Sequence, residues 1–232
     1  MTQLLICKAD SIHDDRVWFK KSHSPLSLTG SGPVPTFDCD KLLVIVRNPL
    51  DVLYSMHCFC STQNHAIKPE FDVDKKYPEE WDFFIRQTIP CYKRWFEMVT
   101  ADCKAEGMVP HYFVRYEDIC CNPKETYEEI FKFLLGFDDL KGTNVERRIL
   151  EVVTEGTQTY ALTSSNRLNI NSHRFNASQI EFVKTELAEM LYRFGYTNFE
   201  ATLTSFFQFD DHTKYGAIYG EFRTSNRANL TV

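Results

Sequence analysis

Three short apolar runs along the chain predict β-strands. Val17–Lys20, Leu42–Val46 and Tyr112–Val114 are rich in β-branched and aromatic residues, which favour extended structure. The run at Leu42–Val46 shows no alternation of apolar and polar positions, a pattern typical of a parallel strand that is buried on both faces. These runs therefore predict the strands of a sheet in the protein core.

Between and after the strands, apolar residues recur at the spacing of an amphipathic helix. An Asn-Pro pair at 122–123 predicts a helix start, and Gly136 predicts its end. Capping boxes of Thr143 with Glu146, and of Ser178 with Glu181, predict two further helices, the second ending at Gly195. The aromatic segment 81–99 also has helical spacing, and Pro90 is expected to interrupt it.

Alternating strands and helices predict an α/β fold with a mainly parallel sheet flanked by helices. A single domain is expected over residues 1–200. The segment 24–40 is rich in Ser, Gly and Pro and reads as a loop. Residues 201–232 have no clear period and are predicted to be an irregular tail.

Composition narrows the class of protein. The 232 residues are 43% hydrophobic, enough for one sizeable core, and the net charge of -6 disfavours a nucleic-acid-binding surface. No run of 18 apolar residues and no signal peptide is seen, so no transmembrane segment is expected and a cytoplasmic protein is predicted. Eight cysteines leave a disulfide framework open by count, although reduced thiols fit that compartment better.

The segment 41–55 carries the most informative chemistry. A buried strand ends at Arg47, Asn48 can cap the next helix, and Pro49 can occupy its first position. The free amides of such a helix start, together with the guanidinium, would attract an anion such as phosphate. Ser55 follows two helical turns later and could add a hydroxyl. The alternative is a structural junction in which Arg47 pairs with a carboxylate and Ser55 only fills the helix.

Three segments resemble the sulfotransferases that use 3′-phosphoadenosine 5′-phosphosulfate (PAPS). The Arg-Asn-Pro-x-Asp pattern at 47–51, with Ser55, is similar to the family's 3′-phosphate motif. Residues 20–25 resemble its Lys-Thr-His segment, and residues 115–118, with the helix after 122, resemble its Tyr-Glu-Asp segment. The resemblance covers roughly residues 17–196. It implies a P-loop-NTPase-like sulfotransferase fold that takes PAPS as co-substrate and needs no metal.

The resemblance also implies roles for single residues. His23 would be the general base, and Lys21 would stabilise charge near the bridging oxygen of the donor. Arg47 and Ser55 would bind the 3′-phosphate, Tyr116 would contact adenine, and Arg167 would be a second 3′-phosphate contact. The alternatives are a structural histidine, a solvated lysine, a core tyrosine and a surface arginine. Residues 24–40 and 61–80 are expected to line the acceptor pocket, but their side chains do not indicate which substrate binds there.

The sequence departs from the family at one point. No segment before His23 resembles the loop that binds the 5′-phosphosulfate, and no Gly-x-x-x-x-Gly-Lys occurs in the 232 residues. The sheet is therefore expected to be one strand short at the N-terminus. The predicted function is sulfuryl transfer to a hydroxyl or amine; the alternative is an inactive remnant that binds adenosine 3′,5′-bisphosphate weakly or serves as a scaffold. A P-loop kinase fits less well, because the Walker lysine is missing.

Overall fold

A computed structural model describes residues 41–64, 67, 69–102, 110–155 and 170–196. The predicted strand at 17–20, the loop at 24–40 and the tail at 201–232 lie outside these residues. Two strands and eight α-helices are found in the described part. They are β1 (Leu42–Val46), α1 (Pro49–Thr62), α2 (Val73–Lys76), α3 (Pro78–Asp102), β2 (His111–Arg115), α4 (Tyr116–Cys121), α5 (Pro123–Leu135), α6 (Asn144–Glu155), α7 (Ala177–Glu186) and α8 (Ala188–Phe194).

The two described strands pair in parallel, as the strand–helix alternation predicts. Leu42 lies opposite His111, and Val46 lies opposite Arg115. The strands begin and end within a residue or two of the predicted runs. An α/β fold with a parallel strand pair is therefore present. Because the pairing is parallel, both carboxyl ends lie at one edge, where such folds place ligands.

Each face of the sheet packs on a different cluster. Val44, Val46 and Phe113 join the main core, which α1, α3, α7 and α8 complete. On the other face, Tyr112 and Val114 pack on Ile130 of α5. The expectation that β1 is buried on both faces is wrong, since Ile45 is 54% exposed. The described helix on that face packs mainly over β2 and leaves the end of β1 open.

Several helix boundaries follow the predicted signals, and two do not. Gly136 and Gly195 end α5 and α8 in the left-handed conformation, with φ of 71° and 73°. Helix α7, in contrast, is capped by Asn176 with Gln179 rather than by Ser178 with Glu181. The amide side chain of Asn176 bonds the backbone N–H of Gln179, and Gln179 returns the bond. The helix thus begins at 177, which places Ser178 inside its first turn.

Helix α3 runs through Pro90 without ending, contrary to the expected interruption. Pro90 lies on the exposed side of the helix, where water can bond the carbonyl that proline leaves without its usual donor. The opposite side is anchored by Trp81, Ile85 and Ile89, all 1% exposed or less. Burial of this stripe outweighs the cost of one missing backbone hydrogen bond.

Candidate functional site

Arg47 and Tyr116 are neighbours at the carboxyl edge of the sheet. Each directly follows a strand, and the parallel register places the two strand ends side by side. The guanidinium carbon of Arg47 lies 4.6 Å from the centre of the Tyr116 ring, within the range of a cation–π contact. The structure therefore brings together two of the residues predicted for nucleotide binding.

A buried carboxylate also holds the Arg47 side chain. Oδ2 of Asp51 is 3.8 Å from Nη2 of Arg47, and the Asp51 side chain is fully buried while that of Arg47 is 24% exposed. Asn171, which lies 120 residues further along the chain, donates to Oδ1 of Asp51 at 2.8 Å. Asp51 is thus the carboxylate partner that Arg47 was expected to have if the strand–helix junction were purely structural. It also orients a guanidinium that still reaches solvent.

Ser55 is exposed on α1. It comes one helical turn after Asp51 and so lies on the same face of the helix. Ser55 is therefore about 6 Å further along the helix axis than Asp51, the residue that contacts Arg47.

The start of α1 differs from the anion site that its sequence predicts. Asn48 is the N-cap, as expected, and its side chain accepts from the Leu50 N–H at 2.9 Å. Pro49 has no N–H, and the Asn48 N–H donates to Oε1 of Glu117 at 2.9 Å. The expectation that free amides here bind an anion is therefore wrong for these three residues. Of the groups predicted to attract an anion at this edge, the Arg47 side chain still reaches solvent.

Glu117 joins the two strand ends. Its carboxylate is buried, with Oε1 on the Asn48 N–H and Oε2 accepting from the Tyr196 hydroxyl at 2.6 Å. Burial raises the pKa of Glu117, and the hydrogen bonds from Tyr196 and Asn48 oppose that rise. The next residue, Asp118, instead accepts two hydrogen bonds from the Arg115 guanidinium. Of these two adjacent carboxylates, Glu117 thus bonds the start of α1 and Tyr196, whereas Asp118 bonds the last residue of β2.

Sequence reasoning missed four residues of this site: Asp51, Glu117, Asn171 and Tyr196. Asp51 lies in the motif at 47–51 and Glu117 in the motif at 115–118. Their place in these motifs could therefore have marked them as site residues. Asn171 and Tyr196 are single polar residues far along the chain, and nothing in their neighbourhood marks them. His23, Lys21 and Arg167 lie outside the described residues, and their roles stay predictions.

His57 lies apart from this edge, on the opposite side of α1 from Ser55. Its ring packs edge-on against Trp81 and Phe84, and burial lowers its pKa while Glu80 opposes the shift. It borders an open groove, whose other walls are Glu79, Glu80, Phe83, Phe84 and Gln87.

Within the described ranges, no group of three or more His, Cys, Asp or Glu side chains could hold a metal ion. The five cysteines in those ranges are free thiols. Nor is any helix in those ranges long and apolar enough to cross a membrane.

The described fold is an α/β domain with a basic and aromatic pair at the carboxyl edge of parallel strands. Residues 15–189 match the family described as the sulfotransferase domain. A 3-alpha-hydroxysteroid sulfotransferase of Cavia porcellus is 33% identical over 122 residues, which cover 52% of this chain and 39% of that relative. No solved structure gives a significant match. The chain belongs to the sulfotransferase family, and it spans about two-fifths of the curated relative that it matches.

Proposed function

We propose that this protein transfers a sulfuryl group from PAPS to an acceptor hydroxyl or amine. The observation that carries the proposal is the Arg47–Tyr116 pair at the carboxyl edge of the parallel strands, in a chain of the sulfotransferase family. Arg47 and Ser55 bind the 3′-phosphate of the nucleotide, and the Tyr116 ring contacts the adenine.

The arrangement of Arg47 fits a phosphate ligand. A guanidinium presents several donors in one plane and bonds phosphate in a bidentate way. Contacts with Asp51 and with the Tyr116 ring hold the side chain in place before a ligand arrives. Less side-chain freedom is then lost on binding, which favours affinity. Since Asp51 is fully buried, its charge faces the protein side of the guanidinium and leaves the solvent side for the anion.

The reacting end of the site is proposed to come from residues 20–25 and, for a second 3′-phosphate contact, from Arg167. His23 takes the proton from the acceptor hydroxyl, because an imidazole titrates near neutral pH. The acceptor oxygen then forms a bond to sulfur while the bond from sulfur to the 5′-phosphate oxygen breaks. Lys21 stabilises the negative charge on that departing oxygen.

A transfer assay with radiolabelled sulfate on PAPS tests this function. We would offer an alcohol, a phenol and an amine; a hydroxysteroid is the natural first alcohol, given the name of the relative. Wild-type protein is expected to label an acceptor, and His23→Ala to lower the rate at least about 100-fold, as loss of a general base does. His173→Gln changes an exposed histidine elsewhere and serves as the control.

The assay also separates the two hypotheses that the sequence leaves open. Labelling that is as fast in His23→Ala as in wild-type protein would remove His23 from the mechanism. Binding of adenosine 3′,5′-bisphosphate without any transfer would favour a non-catalytic nucleotide-binding protein. Absence of both binding and transfer would refute the proposed function.

A further inference from the structure

The buried carboxylate of Glu117 connects three parts of the chain that are distant in sequence. It follows Tyr116 at the end of β2, accepts from the backbone of Asn48 at the start of α1, and accepts from the hydroxyl of Tyr196 beyond α8. Asn48 in turn directly follows Arg47. The side chain of Glu117, the residue after Tyr116, is therefore bonded to the backbone of Asn48, the residue after Arg47.

We propose that Glu117 is a positioning residue for the nucleotide: it sets the relative placement of Arg47 and Tyr116 by tying the two strand ends together. This inference rests on the proposed function, in which that pair binds the nucleotide. Glu117 itself touches no ligand in this account. It acts through the backbone of Asn48 on one side and through its own backbone on the other.

The energetics favour such a role over simple packing. A buried carboxylate loses its hydration, and burial indeed raises the pKa of Glu117. Hydrogen bonds from the Tyr196 hydroxyl at 2.6 Å and the Asn48 N–H at 2.9 Å offset part of that loss, and the backbone of Glu117 and the charge of Arg115 add to them. An apolar side chain would avoid the desolvation cost but would leave the Asn48 N–H without this acceptor. Fixing one geometry, rather than adding stability, is the role that we propose for this buried carboxylate.

The geometry also explains why a carboxylate suits the position. Its two oxygens accept from two donors that come from different elements, so a shift of α1 or of the segment at Tyr196 would break one of these hydrogen bonds. Asn48 caps α1 with its side chain while its N–H reaches Glu117. A shift of Asn48 would therefore move both the helix start and the adjoining Arg47 backbone. The stacking distance of 4.6 Å between Arg47 and Tyr116 depends on that placement.

A double-mutant cycle on the full chain tests the inference. Calorimetry would measure binding of adenosine 3′,5′-bisphosphate by wild-type protein, Glu117→Met, Arg47→Ala and the double variant, at a temperature where all are folded. Glu117→Met is expected to weaken binding about tenfold, the equivalent of one hydrogen bond to a charged group. In the Arg47→Ala background the same change is expected to have less than about a twofold effect, because residues that act through one another are not additive.

Two further variants distinguish positioning from general damage. Asp118→Asn alters the neighbouring carboxylate, which holds Arg115 instead of Asn48, and is expected to bind like wild-type protein. Glu117→Gln keeps an acceptor for the Asn48 N–H and is expected to restore most of the affinity lost in Glu117→Met. In the nitrogen–proton NMR spectrum, the Asn48 amide signal is expected to move in Glu117→Met and to remain in Asp118→Asn, with or without nucleotide.

Failure of this inference differs from failure of the proposed function. Wild-type protein that neither binds the nucleotide nor transfers sulfate would refute the function. Nucleotide binding that is equal in wild-type protein and Glu117→Met, or a loss that is equally large with and without Arg47, would refute the positioning role and leave the function standing.

Discussion

Replacing Asn171 by alanine removes the side-chain donor that reaches Asp51 from the far end of the described chain. Nδ2 of Asn171 bonds Oδ1 of Asp51 at 2.8 Å, and both residues are buried. Hydrogen bonds to a charged group contribute about 1.5–3 kcal/mol to stability. Asn171→Ala is therefore expected to lower the free energy of unfolding by about that amount, measured by urea denaturation.

The control for this variant is Asn144→Ala. Asn144 is exposed. Among the described residues, its side chain makes one long hydrogen bond, in which Nη2 of Arg147 donates to Oδ1 of Asn144 at 3.4 Å. Surface changes of this kind stay within about 0.5 kcal/mol. If Asn171→Ala is no more destabilising than Asn144→Ala, the hydrogen bond to Asp51 does not anchor this side of the Arg47 site and the reasoning is refuted.

Two more predictions concern the helix cap and one carboxyl group. Asn176→Ala is expected to lower the free energy of unfolding by about 1 kcal/mol through loss of the α7 cap, and Ser178→Ala is expected to be neutral; urea denaturation giving the reverse order would place the cap at Ser178. Hydrogen bonds from Lys75 and Arg174 lower the pKa of Asp72 from 3.8 to about 2. Because its native pKa lies below the unfolded value, its stabilising contribution is present above pH 3.8 and is lost as the pH falls toward 2. Carbon NMR titration of Asp72 should show a pKa nearer 3.8 in Arg174→Met, and an unchanged pKa would contradict the assignment.

Local sequence signals predicted the elements well where one residue type has a strong conformational preference. The apolar run of β1, the Asn48 cap with Pro49, and the ends of α5 and α8 at glycine all follow from such preferences. The error at the start of α7 came where two capping signals compete within a few residues. Asn176 and Ser178 can both cap a helix, and in the structure Asn176 does so through its reciprocal hydrogen bonds with Gln179.

Long-range contacts account for most of what the sequence did not reveal at the site. The partners of Asp51 and Glu117 are Asn171 and Tyr196, 120 and 79 residues away. A single polar residue at such a distance has no periodicity that marks it. The same contacts explain why the helix start does not offer its first amides to an anion, since Glu117 and the Asn48 side chain already accept from them.

The central claim is that Arg47 recognises a 3′-phosphate, and the most direct test compares two nucleotides. Calorimetry on the full chain would measure adenosine 3′,5′-bisphosphate against adenosine 5′-monophosphate, which lacks that phosphate. Wild-type protein and Arg148→Ala, which changes an exposed arginine of α6, are expected to prefer the bisphosphate by about 10- to 100-fold, from one charge-assisted contact. Arg47→Ala is expected to lose this preference while its affinity for the monophosphate stays the same. A preference that survives in Arg47→Ala would contradict the account.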